Sequence, residues 1–554
     1  MNKNTALYDN LLAMGVLDSK LLDDCRDEAE SSGQDLADVL ENRDLVSNDN
    51  LGRLTADYFQ LSFVNLAEIQ LKRELVTKIP KAYSLSRKCL LIGEEKDAFV
   101  VAVANPEDKD LLEELEVALG KVKYVYATDR DVRRSIRVYD ADPQTMFETM
   151  MKNTLDEAKN GLNDPPIIKI VEKILVYGYE QGASDIHIEP TEEATHIRYR
   201  VDGLLVDVLT IPKELHEKIS TRIKVMAHMR TDEQHSAQDG KLTFETDIER
   251  VDVRVSIVPI IEGENVVLRL LSAQSRQYSL LDLGLNQTVA KKIEEAIKSP
   301  HGMILATGPT GSGKTTSLYA LLKRLNVRGV HIMTIEDPVE YVISGVNQIQ
   351  VNEANNLTFA EGLRSIVRQD PNIILVGEIR DNEAADIAVN AAMTGHLVLS
   401  TIHTNDAATT IPRLLDMNVE PFLIASTVNV IVAQRLVRKL CNNCRMSEEV
   451  EISELQKKWN KELIAKHFGK DKVRLYKSKG CEVCNGTGYR GRVGIFEVLK
   501  MSEALRTAIV EKKDASEIEK IAIVEGMQTM FEDGIDKVKN GATNLEEILR
   551  VTRE

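Results

Sequence analysis

The amino-acid sequence predicts a multidomain α/β protein whose largest part is a parallel β-sheet covered by helices on both faces. The length of 554 residues corresponds to about three or four domains. Between about 276 and 435, short apolar strands alternate with helical patterns, which is typical of a covered parallel sheet. Upstream, at about 166–275, strand and helix patterns predict a second α/β unit.

The first part of the chain is predicted to hold a helical unit and a smaller mixed unit. Residues 1–70 place apolar side chains at helical spacing. Residues 71–140 combine an apolar strand at 98–104, ended by Asn-Pro, with a helix at 111–119. The polar segment 141–165 closes with Asn-Asp-Pro-Pro and is predicted to be a linker.

The second α/β unit, 166–275, is predicted to begin with a helix at 167–181. Strands follow, among them 196–203 and 251–257. The parallel-sheet core, a cysteine-containing region and a helical tail complete the chain. Their predicted bounds are 276–435, 436–500 and 501–554.

The composition is that of an ordinary soluble globular protein, with 43% hydrophobic and 28% charged residues. Lys and Arg number 70 against 87 Asp and Glu, which gives a net charge of −17. Neutralising phosphates requires a surplus of cations, so this charge argues against a sequence-independent nucleic-acid-binding protein. No apolar run reaches the roughly 18 residues that span a bilayer, and the N-terminus does not resemble a signal peptide. We therefore expect a cytoplasmic protein.

Four of the six cysteines form two closely spaced pairs, Cys441 with Cys444 and Cys481 with Cys484. A two-residue spacer lets both sulfurs of a pair reach one tetrahedral ion, so the pairs predict a structural tetrathiolate zinc site. The 36 residues between the pairs, 445–480, exceed the usual finger spacing, and reduced thiols without a metal are the weaker alternative. Cys25 and Cys89 are isolated and are predicted to be small buried side chains.

The most specific motif is a complete G-x-x-x-x-G-K-[ST] loop between an apolar strand, 303–307, and an amphipathic helix. In such a loop, glycines let backbone N–H groups surround phosphates at the positive end of a helix. Lys314 is predicted to contact the β- and γ-phosphates of a nucleotide, and the Thr315 hydroxyl to bind Mg²⁺. The predicted nucleotide-binding residues are Gly308, Pro309, Thr310, Gly311, Ser312, Gly313, Lys314, Thr315 and Thr316.

Acidic residues at the ends of two apolar strands are candidates for placing metal and water. Glu336 ends one strand, and Glu378 follows another that resembles a Walker B strand. Either glutamate is a candidate to polarise the attacking water. For the neighbouring Glu340 and Asp381, capping of the following helix is an equally good explanation.

Two histidines, His396 and His403, bracket the next predicted strand, 397–401. Isolated histidines are usually structural. Because this strand follows the Walker B segment, one of them is a candidate sensor of the γ-phosphate, and we favour His403.

Together these segments resemble the nucleotide-site boxes of the secretion-superfamily ATPases. The match continues upstream into Ala-Ser-Asp-Ile-His-Ile-Glu-Pro and downstream into the cysteine region, without a break from about 166 to 500. The sequence is most similar to the branch of type IV pilus assembly and type II secretion ATPases (PilB and GspE). The matching stretches are 183–190, 198–203, 238–240, 308–315, 334–341, 376–381, 394–405, 433–441 and 487–497.

The resemblance implies a RecA-like P-loop ATPase core preceded by a PAS-like α/β domain, with an N-terminal docking region and a zinc-binding insertion. It implies a homo-hexamer that hydrolyses ATP with Mg²⁺ and drives an inner-membrane platform protein of the PilC/GspF kind. The N-terminal region is implied to bind a docking protein. The chain is thereby expected to associate peripherally with the inner membrane and not with nucleic acid.

In this family, arginines of the second domain act on the nucleotide of a neighbouring subunit, where they neutralise charge on the transferring phosphate. The best matches here are Arg198, Arg200 and Arg222, with Arg254 and Arg269 behind them. Surface salt bridges are the alternative explanation for each.

The sequence also departs from the family. Many members carry Arg and Pro where this chain has His235 and Ala237, which puts the turnover rate in doubt. Some relatives bind cyclic di-GMP through an Arg-Leu-Gly opening, but residues 7–12 lack both the arginine and the glycine. Arginine stacking on guanine has no substitute here, so we predict no cyclic di-GMP binding.

Alternatives to an assembly motor for pili or pseudopili stay open at this point. A retraction motor of the same superfamily is disfavoured by the cysteine pairs and the long N-terminal extension. A nucleic-acid translocase is disfavoured by the net charge. The intact Lys314, Thr315, Glu336 and Glu378 argue against a non-hydrolysing scaffold.

Overall fold

The chain folds into two compact units, one of residues 48–276 and one that combines 1–47 with 277–554. The predicted linker, 141–165, lies almost wholly outside the residues that the structure describes. Among the described residues, no helix has both the length and the apolar character needed to cross a membrane. The computed structural model describes residues 3–13, 17, 19–42, 45–46, 48–95, 97–139, 149, 167–246, 250–271, 280, 282–458, 461–468, 472–484 and 486–552.

The N-terminal segment of the second unit is helical, as its leucine spacing predicts. Leu11, Leu22, Leu36 and Leu40 are almost completely buried, which accounts for the apolar positions of this segment. The helices are Lys3–Ala13, Ser19–Ser32 and Leu36–Asn42.

A small mixed domain forms the first part of the 48–276 unit. Its three-stranded sheet pairs β1 (Cys89–Glu95) antiparallel with β2 (Ala98–Val103), and β2 parallel with β3 (Val122–Tyr126). Its α-helices are Asn48–Tyr58, Arg73–Val76, Lys81–Arg87, Lys109–Leu119 and Asp129–Ser135.

The second domain of this unit is a six-stranded antiparallel sheet in the order β6-β5-β4-β9-β8-β7. Two helices, Ile167–Glu180 and His216–Met226, contribute to its apolar core. The strands alternate buried and exposed residues, so one face of the sheet is left for polar side chains. The strands are β4 (Ala183–Pro190), β5 (Ala194–Val201), β6 (Leu204–Pro212), β7 (Gln238–Glu245), β8 (Arg250–Ile260) and β9 (Gly263–Leu271).

The other unit is built on a seven-stranded sheet in the order β12-β11-β13-β14-β10-β15-β18, with a separate two-stranded sheet of β16 and β17. All neighbours in the larger sheet are parallel except β15 and β18. The strands are β10 (Gly302–Thr307), β11 (Ile332–Glu336), β12 (Asn347–Gln350), β13 (Ile373–Val376), β14 (Leu397–Ile402), β15 (Val428–Leu440), β16 (Arg445–Glu451), β17 (Lys472–Ser478) and β18 (Tyr489–Lys500).

Helices cover both faces of this sheet and bury β10, β13 and β14 completely, as the continuous apolar runs of these strands require. The helices from 287 to 427 are Gln287–Ile297, Lys314–Leu325, Phe359–Val367, Asn382–Met393, Thr410–Asp416 and Pro421–Thr427.

The core sheet extends beyond its predicted end at 435, because that position lies inside β15. β15 pairs with β18, which follows the second cysteine pair, so the cysteine region is an excursion from the sheet and not a separate body after it. The helical tail also belongs to the core, since Leu505, Ile509 and Ile548 share one apolar cluster with β15 and β18. The helices of the excursion and tail are Ile452–Lys458, Lys461–Phe468, Glu503–Val510, Ala515–Val524, Met530–Lys539 and Leu545–Thr552.

Candidate nucleotide site

Four of the predicted segments meet at one edge of the seven-stranded sheet, which we call the carboxyl edge. β10, β11, β13 and β14 are parallel and in register, so their C-terminal ends lie side by side. The phosphate loop, 308–315, follows β10, and Glu336 is the last residue of β11. Glu378 follows β13, and His403 follows β14. Ligands of parallel sheets bind at this edge.

The backbone of the phosphate loop requires glycine at two positions where other atoms come close. Gly308 has a φ of +141°, and a Cβ there would lie 2.4 Å from the carbonyl oxygen of Gln434. Gly313, with a φ of +89°, immediately precedes the helix Lys314–Leu325. The loop therefore presents the N-terminus of a 12-residue helix to the carboxyl edge, the arrangement that binds phosphate groups.

Lys314 is buried, with 9% of its surface exposed, and its side chain returns to the phosphate loop. Its Nζ donates hydrogen bonds to the carbonyl oxygens of Gly308 (2.8 Å) and Pro309 (3.2 Å). Burial lowers the pKa of Lys314, and the charge of Glu378 acts against that shift. The remaining loop residues differ in exposure: Ser312 is buried, Gly313, Thr315 and Thr316 are half-buried, and Pro309, Thr310 and Gly311 are exposed.

Gln434 on β15 forms hydrogen bonds with the phosphate loop and with the helix that follows it, contacts that the sequence motifs do not predict. Its Nε2 donates to the carbonyl oxygen of Ser312 at 2.8 Å, and its Oε1 accepts from the Ser317 hydroxyl at 2.8 Å. Gln434 is 2% exposed, so both bonds lie in a dry environment where losing either leaves a buried polar group unpaired. Its position directly after the buried apolar run 430–433 is the one local signal in the sequence that points to it.

Glu336 is a buried carboxylate surrounded by hydrogen-bond donors. It accepts from the Tyr319 hydroxyl, from Thr334 Oγ1 at 2.6 Å and from Gln348 Nε2 at 3.2 Å. Burial raises the pKa of Glu336, and these three hydrogen bonds oppose the shift. The charge of the nearby Glu340 raises the pKa of Glu336 further.

Glu378 lies in a different environment, because the Arg380 guanidinium and the His403 imidazole face it. Arg380 forms an ion pair with one carboxylate oxygen, and His403 Nε2 lies 3.3 Å from the other. Burial pushes the pKa of Glu378 upward, but the hydrogen bond and charge of Arg380, with those of His403, outweigh burial and hold the pKa below its usual value. Glu378 is therefore ionised at neutral pH, and the structure brings it together with His403.

Side-chain hydrogen bonds connect the neighbouring strands of the carboxyl edge to one another. Ser400 Oγ donates to the carbonyl oxygen of Val376, and Thr401 Oγ1 to that of Gly377, both at 2.8 Å. On the other side, the Thr404 amide donates to Thr307 Oγ1 at 2.9 Å. Hydroxyl groups thus connect the strand before the phosphate loop to the strands that carry Glu378 and His403.

Two of the remaining predicted residues have structural contacts. Asp381 is the N-cap of the helix Asn382–Met393, with its carboxylate accepting from the Ala384 amide at 2.8 Å. His396 Nδ1 lies 2.9 Å from the carbonyl oxygen of Ala391. These contacts favour the structural explanation for both residues.

The predicted trans-acting arginines lie in the other unit, four of them on strands of the antiparallel sheet. Arg198 pairs with Glu189, and Arg269 Nε lies 2.9 Å from Asp185. Arg200 lies 3.7 Å from Asp185, and Arg254 is the cross-strand neighbour of Arg269. The register places this row of side chains on one face: Arg200 (β5), Asp185 (β4), Arg269 (β9), Arg254 (β8) and Lys241 (β7).

Arg222 differs from these arginines because it lies on the helix His216–Met226. Its buried Nε finds no hydrogen-bond partner within the described part of the chain, and the same holds for the Nε of Arg198. The departure at His235 lies on the exposed turn after Arg230, where the His235 amide donates to Glu233 Oε1 at 2.7 Å.

The four paired cysteines form one cluster at the junction of β15, β16, β17 and β18. Their Sγ atoms all lie within 4.8 Å of one another, with separations of 3.7, 3.8 and 3.9 Å for three of the pairs. A tetrahedron with Zn–S bonds of about 2.3 Å has edges of about 3.8 Å, so the cluster fits a zinc ion. The Gly488 amide donates to Cys484 Sγ at 3.2 Å, a contact that stabilises a thiolate.

Comparison with protein families gives two matches. The family described as "Type II/IV secretion system protein" matches residues 160–550, and the MshEN domain matches residues 59–145. The second range does not include residues 7–12, on which the absence of cyclic di-GMP binding is predicted, and this stays a prediction.

Among the curated relatives that align over nearly the whole chain are a pilus assembly ATPase and a type II secretion protein. The type IV pilus assembly ATPase PilB of Myxococcus xanthus is 34% identical, over 98% of this chain and 98% of its own. The type II secretion system protein E of Xanthomonas campestris pv. campestris is 38% identical, over 99% of both. Among solved structures, the ATPase DotB of Legionella pneumophila has a TM-score of 0.52 at 22% identity, covering 69% of this chain and 94% of that one, which shows a shared fold.

Proposed function

Because the chain belongs to the type II/IV secretion system protein family, we propose that it is an ATPase that drives type IV pilus assembly through an inner-membrane platform protein. The observation that carries this proposal is the carboxyl edge, where a complete phosphate loop adjoins Glu336, Glu378 and His403. The alternative within the family is a type II secretion ATPase that builds a pseudopilus. It is supported by full-length similarity to a type II secretion protein E.

In this proposal the phosphate loop holds the triphosphate, and Lys314 neutralises charge on the β- and γ-phosphates. The Lys314 ammonium group already lies against the loop, where it donates hydrogen bonds to two loop carbonyl oxygens. Thr315, in the first turn of the helix, is assigned to Mg²⁺. The backbone amides at the helix N-terminus complete the phosphate contacts.

We assign polarisation of the attacking water to Glu378. A general base must be ionised and must have a free lone pair to accept a proton. Arg380 and His403 keep Glu378 ionised, whereas Glu336 is buried, has a raised pKa and already accepts three hydrogen bonds. Glu336 is the alternative base, and His403 is assigned to sensing the γ-phosphate through its contact with Glu378.

Arginines of the antiparallel-sheet domain, on its strands and on the helix His216–Met226, are proposed to act on the nucleotide of a neighbouring subunit in a homo-hexamer. Arg198 and Arg222 each have a buried Nε–H without a partner in the described part of the chain. A phosphate oxygen of a second subunit is a suitable acceptor for such a donor. Charge neutralisation across the boundary then couples hydrolysis to movement of one subunit against the next.

The cysteine cluster is assigned to a structural zinc ion, held by Cys441, Cys444, Cys481 and Cys484. All four positions of a tetrahedral ion are then filled by sulfur, so the ion supplies no catalytic position. Because retraction ATPases of the superfamily generally lack such a cluster, it supports an assembly motor.

An ATPase assay with and without the cytoplasmic part of the co-encoded platform protein tests the proposal. We expect hydrolysis by the chain alone, several-fold stimulation by the platform and none by DNA or RNA at physiological salt. Lys314→Ala is the negative control, and Lys291→Ala, an exposed lysine, is the matched positive control. Stimulation by nucleic acid alone contradicts the proposal. Loss of surface pili, as opposed to loss of secreted proteins, in a deletion strain separates assembly from secretion.

A further inference from the structure

Glu497 is a buried acid that the site described above does not use. It lies on β18 with 4% of its surface exposed. One carboxylate oxygen accepts from the Ala407 amide at 2.9 Å, and the other faces the Met530 amide at 3.4 Å. Burying a carboxylate without a cation is expensive, so its place inside an apolar cluster calls for an explanation.

The Ala407 amide belongs to the segment 403–409, which we call the sensor loop because it begins with His403. At its start, His403 contacts Glu378, and the Thr404 amide donates to Thr307 on the strand before the phosphate loop. At its end, Asp406 Oδ1 accepts from the Thr409 amide at 2.7 Å. Glu497 therefore fixes the middle of a loop whose start touches the proposed base.

β18 connects the sensor loop to the rest of the unit. In the β15–β18 pair, Ala433 is opposite Glu497, and Gln434 is opposite Phe496. The same two strands therefore contact both the phosphate loop, through Gln434, and the sensor loop, through Glu497. Met530, the second group facing Glu497, is the first residue of a C-terminal helix.

We propose that Glu497 is a positioning residue for ATP hydrolysis, which holds the sensor loop, and thus His403 against Glu378, and which does so fully only as a carboxylate. The inference rests on the proposed ATPase function and adds a residue to it. Glu497 touches none of the reacting groups and acts through the Ala407 amide.

The surroundings of Glu497 place its ionisation in the physiological range. Burial, its largest influence, raises the pKa of Glu497 to about 7, and the amides of Ala407 and Met530 oppose that shift. The charged groups that face it are Asp406 from the sensor loop and Glu519 from the helix Ala515–Val524, and both raise the pKa. The buried Asp533–Lys537 pair lies beside the neighbouring Phe496.

The pH dependence follows from the hydrogen bonds. Above pH 7, both oxygens of the carboxylate accept, and the sensor loop is held. Below it, one oxygen carries a proton and the anchor weakens. Hydrolysis at saturating ATP is therefore expected to rise as the pH increases through about 7. The contribution of Glu497 to folding stability has the opposite sign. Because the pKa of Glu497 is higher in the folded than in the unfolded state, the free energy of unfolding decreases as the pH rises from the unfolded-state pKa towards 7.

Glu497→Gln in the full-length protein tests the inference. The amide keeps one acceptor oxygen and cannot ionise. We expect kcat at pH 8 to fall about ten-fold, since small displacements of catalytic groups have effects of this order, with KM within about two-fold of wild type. We also expect the ascending step in the pH profile near 7 to disappear. Glu497→Asp, which keeps the charge with a shorter reach, is expected to lower kcat and retain the step.

The matched control is Glu547→Gln in the last helix. Glu547 is buried to a similar degree, but it pairs with Arg438 on β15 and with Arg550 in its own helix. We expect a lower Tm and an unchanged kcat and pH profile. If Glu497→Gln lowers Tm while leaving kcat and the pH step as in wild type, the positioning role is wrong. If Glu497→Gln does not fold, Glu497→Asp is measured instead, and a wild-type kcat in that variant also contradicts the positioning role. Absence of hydrolysis in wild type instead removes the proposed function.

Discussion

Two charged regions of the molecule, the carboxyl edge of the parallel sheet and the antiparallel-sheet domain, differ in how fully their charged groups are paired. At the carboxyl edge, Lys314, Glu336 and Glu378 each bind two or more groups from the same unit. On the antiparallel domain, Arg198 and Arg222 retain a buried donor without a partner in the described residues.

This difference indicates a division of labour. A site with its charges already paired is preorganised, so it binds and orients a ligand with little rearrangement. Buried donors without partners are costly and rare in native proteins, so the Nε–H groups of Arg198 and Arg222 are consistent with the proposed acceptor on a second subunit. The following changes test that division, beginning with the largest expected effect.

Arg222→Ala is expected to lower kcat about 10³-fold, the range seen when an arginine supplied to a phosphoryl-transfer site is removed. Mixing this variant with Lys314→Ala is expected to restore part of the activity, because some subunit boundaries then combine an intact phosphate loop with an intact arginine. Phosphate release from the mixture is the measurement. The control is Arg133→Ala, which removes an exposed arginine paired with Asp129. If mixing restores no phosphate release, the proposal that Arg222 acts on the nucleotide of a neighbouring subunit is contradicted.

Glu378→Gln is expected to lower kcat by about 10²-fold or more while ATP still binds, because the ionised base is removed and the phosphate contacts stay. Glu336→Gln is expected to have a smaller effect on kcat and a larger effect on Tm, because a buried acceptor of three hydrogen bonds is replaced. Single-turnover hydrolysis and a fluorescent-nucleotide titration separate chemistry from binding. The reverse ranking of the two kcat values assigns the base to Glu336.

Gln434→Leu is expected to raise the KM for ATP about ten-fold with a smaller change in kcat, because it leaves the Ser312 carbonyl and the Ser317 hydroxyl unpaired beneath the phosphate loop. Ser317→Ala removes only the second bond and is expected to show a smaller rise. Steady-state kinetics with a parallel Tm measurement check both. Equal KM values in wild type and Gln434→Leu would show that the hydrogen bonds of Gln434 do not position the phosphate loop for ATP binding.

Removing zinc is expected to lower Tm more than kcat, because the four cysteines hold together the ends of β15, β16, β17 and β18 and supply none of the groups assigned to ATP or to the attacking water. Metal analysis should find one zinc per chain, and Cys481→Ser should lower both the zinc content and Tm. Cys25→Ser, a buried cysteine outside the cluster, is the control for losing a thiol. A purified protein that is stable and metal-free means that the cluster holds reduced thiols.

The sequence predicts the carboxyl edge well because each of its motifs is local. A glycine-rich loop after a strand and acidic residues at strand ends are recognisable within about ten residues, and the rule for parallel sheets then brings them together. The fold class and the family are confirmed by the match over residues 160–550.

Contacts that depend on long-range pairing were not predictable in this way. Gln434 supports the phosphate loop only because β15 lies beside β10, and Glu497 reaches the sensor loop only because β18 returns to β15 after the cysteine excursion. The same pairing places the predicted boundary at 435 inside a strand. No periodicity within β15 distinguishes its polar residues from surface ones, since their partners lie more than 100 residues away.

The contacts of the 13-residue strand β15 limit which insertions and deletions the protein can accept during evolution. Gln434 is directed towards the phosphate loop, and Arg435, the next residue, binds the carbonyl oxygen of Val551 in the last helix. Since adjacent strand residues point to opposite sides, deleting or inserting one codon before Gln434 would exchange the two sets of contacts. Length variation among homologues should therefore be absent from this strand and should accumulate in the part of the excursion between β16 and β17, where no strand alternation has to be kept.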